Sequence, residues 1–208
     1  MRIDRLEPSK RKAGRILAYL EDGSILKLTE QEVLDHGIRA GDDLSEERLR
    51  ELADSASCSE AKGDAARLLG RKPMSRADLE RKLREKGATE RECEYAAEWL
   101  TAIGALDDQA YAALLVRHYS DAGYGPARWR DELRRHGIDR ELWDEAMESA
   151  PPTEEIITRF LSNRWKGGKP DEKELKRTSD ALLRRGFSWG DVKVALKEFT
   201  DIFSEDEW

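Results

Sequence analysis

The residues best suited to chemistry are few and badly placed for it. His36, His118 and His136 stand in no recognisable motif with a nucleophile or a carboxylate, so neither a Ser-His-Asp nor a Cys-His arrangement can be read from the chain. His136 directly precedes Gly137 and reads as a residue of a last helical turn, where an imidazole suits the helix dipole. Cys58 and Cys93 share no ligand spacing, which fits a reduced, cytoplasmic setting. The stretch Trp165-Lys-Gly-Gly-Lys-Pro170 is glycine-rich but lacks P-loop spacing and reads as a loop between helices. The adjacent acids Asp107 and Asp108 are of the kind that open a helix rather than bind a metal. The expectation is a protein with no catalytic residue, no metal and no cofactor, which acts by binding.

Basic residues offer a more specific signal. Arg84 and Lys86, then Arg128, Arg130, Arg134 and Arg135, then Lys176, Arg177, Arg184 and Arg185 fall near glycines that recur along the chain. Two explanations stand side by side: complementation of helix dipoles, or a positive ledge facing an acidic protein or a nucleoprotein. Charged residues make up 39% of the 208 and hydrophobic ones 38%, which calls for a large surface relative to the core. The net charge is −7, and no segment is net basic, so free nucleic acid is an unsatisfactory sole partner. No apolar run reaches the roughly 18 residues of a membrane span, and the N-terminus lacks the apolar run of a signal peptide.

These cations are positioned by a repeat. Leu83, Leu133 and Leu182 each lie four residues before a glycine: Gly87, Gly137 and Gly186. Two residues past each glycine come Thr89, Asp139 and Ser188, all able to cap a new helix. The glycines suit the left-handed position that ends the helix before. Downstream, Cys93, Trp143 and Val192 share a column, as do Ala96, Ala146 and Ala195, and the offsets trace one helical face. Leading helices at 64–70, 108–120 and 153–165 complete three units, with Pro126, Pro152 and Pro170 at helix starts. Trp129 aligns with Leu79 as a core residue.

The first 60 residues read differently. Two β-favouring runs, 15–20 and 24–28, flank Asp22-Gly23, a pair suited to a tight hairpin turn. Thr29 and Glu32 form a capping-box pattern for a short helix stopping at Gly37; residues 45–56 read as a second helix and 55–63 as a linker. The expected fold is mainly α: three tandem three-helix repeats in an elongated, helix-turn-helix-like array, preceded by a small α+β module with a β-hairpin. The expected domains are 1–60, 64–108, 108–150 and 153–200, with an acidic tail at 201–208.

The chain resembles the family of the regulatory protein RecX, modulators of the RecA recombinase. The resemblance rests on Ala66-Arg-Leu-Leu69, on Ser75, Leu79, Leu83 and Gly87, on Gly104-Ala-Leu-Asp-Asp-Gln-Ala-Tyr-Ala112, on Gly125-Pro126 through Glu132-Leu133 to Gly137-Ile138, and on Arg184-Arg-Gly-Phe-Ser188. It covers about residues 64 to 200. It implies three tandem three-helix repeats, no enzymatic activity, and a monomer that binds along the groove of the RecA–DNA filament. It further implies suppression of ATPase, strand exchange and co-protease functions in DNA repair, recombination and the SOS response, with at most weak direct DNA contact. The alternative is a helix-turn-helix protein acting directly on duplex DNA, which the net acidity and the threefold repetition disfavour. A nuclease with scattered carboxylates is a further rival, and no clustered motif supports it.

Overall fold

The computed structural model describes residues 1–165 and 170–205. Residues 166–169 of the glycine-rich stretch and 206–208 of the acidic tail lie outside the described residues. Two compact units emerge: residues 1–73 with 79–106, and residues 74–78 with the chain from 107 onward.

The first unit opens with a three-stranded antiparallel sheet in the order β1 (Ile3–Pro8), β2 (Arg15–Leu20), β3 (Ile25–Thr29). The hairpin expected from Asp22-Gly23 is present, with Gly23 at φ 84° and the Leu20 amide donating to the Ser24 carbonyl at 2.9 Å. Strand β1 is not legible in the sequence: its register shifts at Asp4, the charged Arg5 and Glu7 are exposed, and only Ile3 is fully buried. Pairing across the sheet puts Ala18, Leu20 and Leu28 into a core shared with Ile38, Leu44 and Leu52. Thr29 caps α1 (Glu30–Asp35) through a full capping box with Glu32.

The expected linker is a helix. Helix α2 runs unbroken over Glu46–Leu69, capped by Ser45, and takes in both the second predicted helix and the leading helix of the first repeat. The small, polar stretch 55–63 reads as a linker in sequence because its buried residues are Ala56, Cys58 and Ala61, too small to register as apolar periodicity. Its serines have a tertiary task. Ser55 Oγ and Ser59 Oγ each donate at 2.7 Å to Glu32 Oε1, while the Thr29 amide and hydroxyl donate to Oε2 at 2.7 and 2.9 Å. Burial alone would push the Glu32 carboxyl up, but these hydrogen bonds together hold it below the usual range. A carboxyl depressed in the folded state contributes stability above its unfolded value of about 4.3, which is lost as pH falls through the folded value. Glu32→Gln is therefore expected to cost the first unit about 1 to 3 kcal/mol at neutral pH. The deficit should shrink in melting curves recorded at progressively lower pH; a constant deficit would show that the charge is not what matters.

Beyond residue 70 the described elements are helical: α3 (Arg76–Glu85), α4 (Glu90–Ala102), α5 (Asp108–Asp121), α6 (Pro126–Arg135), a 3-10 turn at Arg140–Leu142 leading into α7 (Trp143–Glu148), α8 (Thr153–Arg164), α9 (Glu172–Arg184) and α10 (Trp189–Glu205). Helix α10 thus extends to Glu205, into the expected acidic tail at 201–208. The capping expectations hold: Thr89 accepts from the Glu92 amide, Asp139 from the Glu141 amide and Ser188 from the Asp191 amide. Gly87, Gly137 and Gly186 sit at φ 93°, 65° and 91°. In the second unit α5, α6 and α7 pack together, and α10 packs on α8 and α9, around Trp129, Leu133, Trp143, Ile157 and Leu182. The indole N–H groups of Trp129 and Trp143 donate to the Tyr124 and Ile138 carbonyls at 2.9 and 3.0 Å, satisfying the polar atom of each buried ring.

Candidate functional site

The middle helices of the second unit meet by a construction used twice. At one junction the Ser75 hydroxyl donates to the His136 carbonyl at 2.5 Å while its oxygen accepts from the Asp78 amide at 3.1 Å. At the other, the Gly125 amide donates to the Arg185 carbonyl at 2.9 Å and the Ala127 amide to the Gly186 carbonyl at 3.1 Å. Ser75 and Gly125 stand twelve residues before their own repeat glycines, and His136 and Arg185 one residue before theirs. The end of one middle helix is thus seated on the start of the preceding one, so carbonyls left over at one helix end meet a side-chain hydroxyl at the first junction and leftover amides at the second. The closeness depends on small residues. A Cβ on Gly137 would lie 2.6 Å from Ala77 Cβ, and one on Gly186 only 2.7 Å from the Arg128 nitrogen and 3.4 Å from Ala127 Cβ.

Side chains elaborate each junction differently. His136 Nδ1 lies 2.5 Å from Asp78 Oδ2, and its ring meets Tyr111 edge-on at 5.7 Å. His136 is therefore more than a helix-end residue; its partner Asp78 carries no signal in the sequence, and Ser75 stands there only as a motif position. Sequence spacing held no sign of a contact 58 residues long. Burial and then the Asp78 carboxylate push the Tyr111 phenol up. At the second junction Arg185 Nη1 donates to the Ala122 and Gly123 carbonyls at 3.2 Å, with its guanidinium over Tyr124 at 5.3 Å and Phe160 at 4.9 Å. Arg185 thus braces the end of α5.

The predicted cations separate by what they touch. Arg128 and Arg135 both grip Glu132, at 2.6 and 2.5 Å, and that carboxylate is only 2% exposed. Burial, and then a hydrogen bond to Glu132, push the Tyr119 phenol up. Arg134 pairs with Asp131 at 2.9 Å, Arg84 with Glu80 at 4.0 Å and Lys86 with Asp64 at 3.3 Å. Arg130, Lys176, Arg177 and Arg184 are exposed and make no ion pair among the described residues. Nine and two residues before the repeat glycine stand Arg128 and Arg135 in one unit, Arg177 and Arg184 in the next. Each pair is seven residues apart and shares a helix face. In α6 the stripe is neutralised by Glu132; in α9 the equivalent position is Ala181, and the stripe keeps its charge. In α3 the same columns hold Asp78 and Glu85, so the stripe does not extend to that helix.

Among the described residues no group of three or more histidine, cysteine or acidic residues is placed to hold a metal, and no helix is long and apolar enough to cross a membrane. Asp107 caps α5 through the Ala110 amide at 2.9 Å, and Asp108 accepts from the Arg76 amide at 2.8 Å, so both acids are placed by helix starts.

Fold and site define a helical protein of three-helix units whose conspicuous surface feature is cationic. Family profiles described as the first and second three-helix domains of RecX match residues 61–100 and 107–147. The chain is 36% identical over 132 residues to the regulatory protein RecX of Stenotrophomonas maltophilia strain R551-3, spanning 62% of this chain and 81% of the relative. It is 32% identical over 132 residues to that of Xanthomonas campestris pv. campestris strain B100, spanning 62% and 82%. Among solved structures, one described as regulatory protein RecX aligns with a TM-score of 0.73 at 24% identity over 93% of this chain and 98% of the other. RecX from Lactobacillus salivarius aligns with a TM-score of 0.60 at 21% identity, over 70% and 97%; both structures share the fold. The chain belongs to the RecX family of regulatory proteins.

Proposed function

We propose that this protein is a cytoplasmic modulator of the RecA recombinase that binds the RecA–DNA filament and suppresses ATPase, strand exchange and co-protease activity without catalysing a reaction. The observation that carries this reading is the exposed stripe Arg177 and Arg184 on α9, joined by Lys176 and by Arg130 on α6, all without intramolecular ion pairs among the described residues. Cations held in place by helices and left uncompensated are suited to an acidic or nucleoprotein surface. Where a filament repeats its surface, modest contacts made at more than one place add through effective concentration. Family membership directs the choice of partner to RecA, and blocking access to a filament needs no chemistry of the binder.

The test is RecA's ATPase on single-stranded DNA titrated with the full chain, beside a control with the chain alone. Inhibition at or below about micromolar protein, the range of a specific macromolecular contact, is expected, with no nucleotide hydrolysed by the chain itself. An ATPase rate unchanged across that titration overturns the reading.

A further inference from the structure

The outward face of the sheet lies outside both family-profile matches, which begin at or beyond residue 61. Strand alternation places Arg5 and Glu7 of β1, Arg15, Leu17 and Tyr19 of β2, and Ile25 and Lys27 of β3 on this face. The β1–β2 loop adds Lys10, Arg11 and Lys12, and all of these residues except Arg5 line a concavity of about 560 Å³.

Charge here runs against the trend of the chain. Residues 10–15 hold four basic residues and no acid, inside a 60-residue segment whose balance is otherwise acidic. The carboxylates within reach are taken: Glu7 by Arg5 at 3.0 Å, and Glu60 by Arg15 at 3.1 Å. Lys10, Arg11, Lys12 and Lys27 make no ion pair among the described residues. Partial burial, and then the positive charge of Arg15 and Arg67, hold the Lys12 amine below its usual value, a further sign of concentrated cations. Between the cations lies apolar surface: Leu17, the 44% exposed Ile25, and Tyr19 with the Arg5 guanidinium 4.0 Å from its ring centre.

We propose that this sheet face, with the Lys10–Lys12 loop, binds single-stranded nucleic acid, phosphates lying against the loop and Lys27, and bases against Tyr19 and Ile25. An acidic peptide would use the cations but has no need of planar surfaces between them; unstacked bases need both, and sheet faces carrying aromatic and arginine planes hold them by stacking.

The proposal is independent of RecA and is tested without it. Fluorescence anisotropy of a labelled oligothymidylate of about 20 nucleotides, longer than a single-module footprint, is titrated with the full chain at low salt. Binding that weakens with salt is expected, the logarithmic slope reflecting about 0.7 per phosphate neutralised. The combined change Lys10→Glu and Arg11→Glu alters two exposed side chains of the loop and should leave melting unchanged. It should weaken binding at least about tenfold and reduce the slope by about one. Tyr19→Ala should weaken binding about fivefold while leaving the slope in place, as lost stacking does. Absent binding, binding indifferent to the loop reversal, or displacement by polyglutamate as effective as by unlabelled oligothymidylate overturns the assignment, the last in favour of an acidic peptide.

Discussion

Gly186→Val is expected to destabilise the second unit by about 3 kcal/mol or more. Three contributions act together. The residue sits at φ 91°, where an L side chain costs about 1 to 2 kcal/mol and a β-branched one tends to the upper end. Its Cβ would fall 2.7 Å from the Arg128 backbone nitrogen, which cannot swing aside as a side chain can, and overpacking of this kind costs about 1 to 3 kcal/mol. Displacement would also loosen the bond from the Ala127 amide to the Gly186 carbonyl, worth about 1 kcal/mol. At about 2 to 4 °C per kcal/mol, the melting transition reported by Trp129 and Trp143 should fall by roughly 6 to 12 °C. Gly87→Val is the internal control: at φ 93° it bears the same backbone cost, but nothing stands within 4 Å of its Cβ, so a loss of about 1 to 2 kcal/mol is expected. Gly137→Val belongs with Gly186, because Ala77 stands 2.6 Å from its Cβ, and Ala77→Gly should recover part of the loss. Equal losses at all three glycines would show that the junctions contribute nothing and that only backbone geometry matters.

Reversing Arg177 and Arg184 together to Glu is expected to weaken binding to the RecA filament about tenfold while leaving the melting curve within a degree or so of the parent, since exposed charges of this kind govern encounter rather than folding. Arg128→Glu with Arg135→Glu occupies the same two columns one unit earlier and should behave in the opposite way. It would leave the buried Glu132 facing two new carboxylates, and stripping partners from a buried charge costs about 3 to 5 kcal/mol. Arg185→Glu should also register in stability, because its guanidinium holds the Ala122 and Gly123 carbonyls. Thermal melting and filament affinity measured on the same three variants separate contact from scaffold. An unchanged affinity for the Arg177 and Arg184 variant would remove α9 from the interface.

Much of the architecture was legible because it is written in local rules. Glycine at a left-handed helix end, Thr89, Asp139 and Ser188 at the restarts, and leucine four residues before each glycine all act within one or two helical turns, so each leaves a periodic trace. The same holds for the Thr29 to Glu32 capping box and the Asp22-Gly23 turn. Motif resemblance carried the family, and these motifs lie largely at capping and core positions.

Tertiary structure decided what local rules do not encode. The stretch 55–63 became helix because Ser55 and Ser59 find Glu32, a partner 23 and 27 residues away, and because a stripe of alanines buries well only against another helix. His136 acquired Asp78 across 58 residues. Ten cations that look alike in sequence are sorted into two that clasp Glu132, three that pair with other carboxylates, one that braces α5 and four that make no ion pair among the described residues. Whether an arginine is spent inside its own fold depends on which carboxylate or carbonyl the packing brings within about 3 Å, and that distance belongs to the tertiary fold alone.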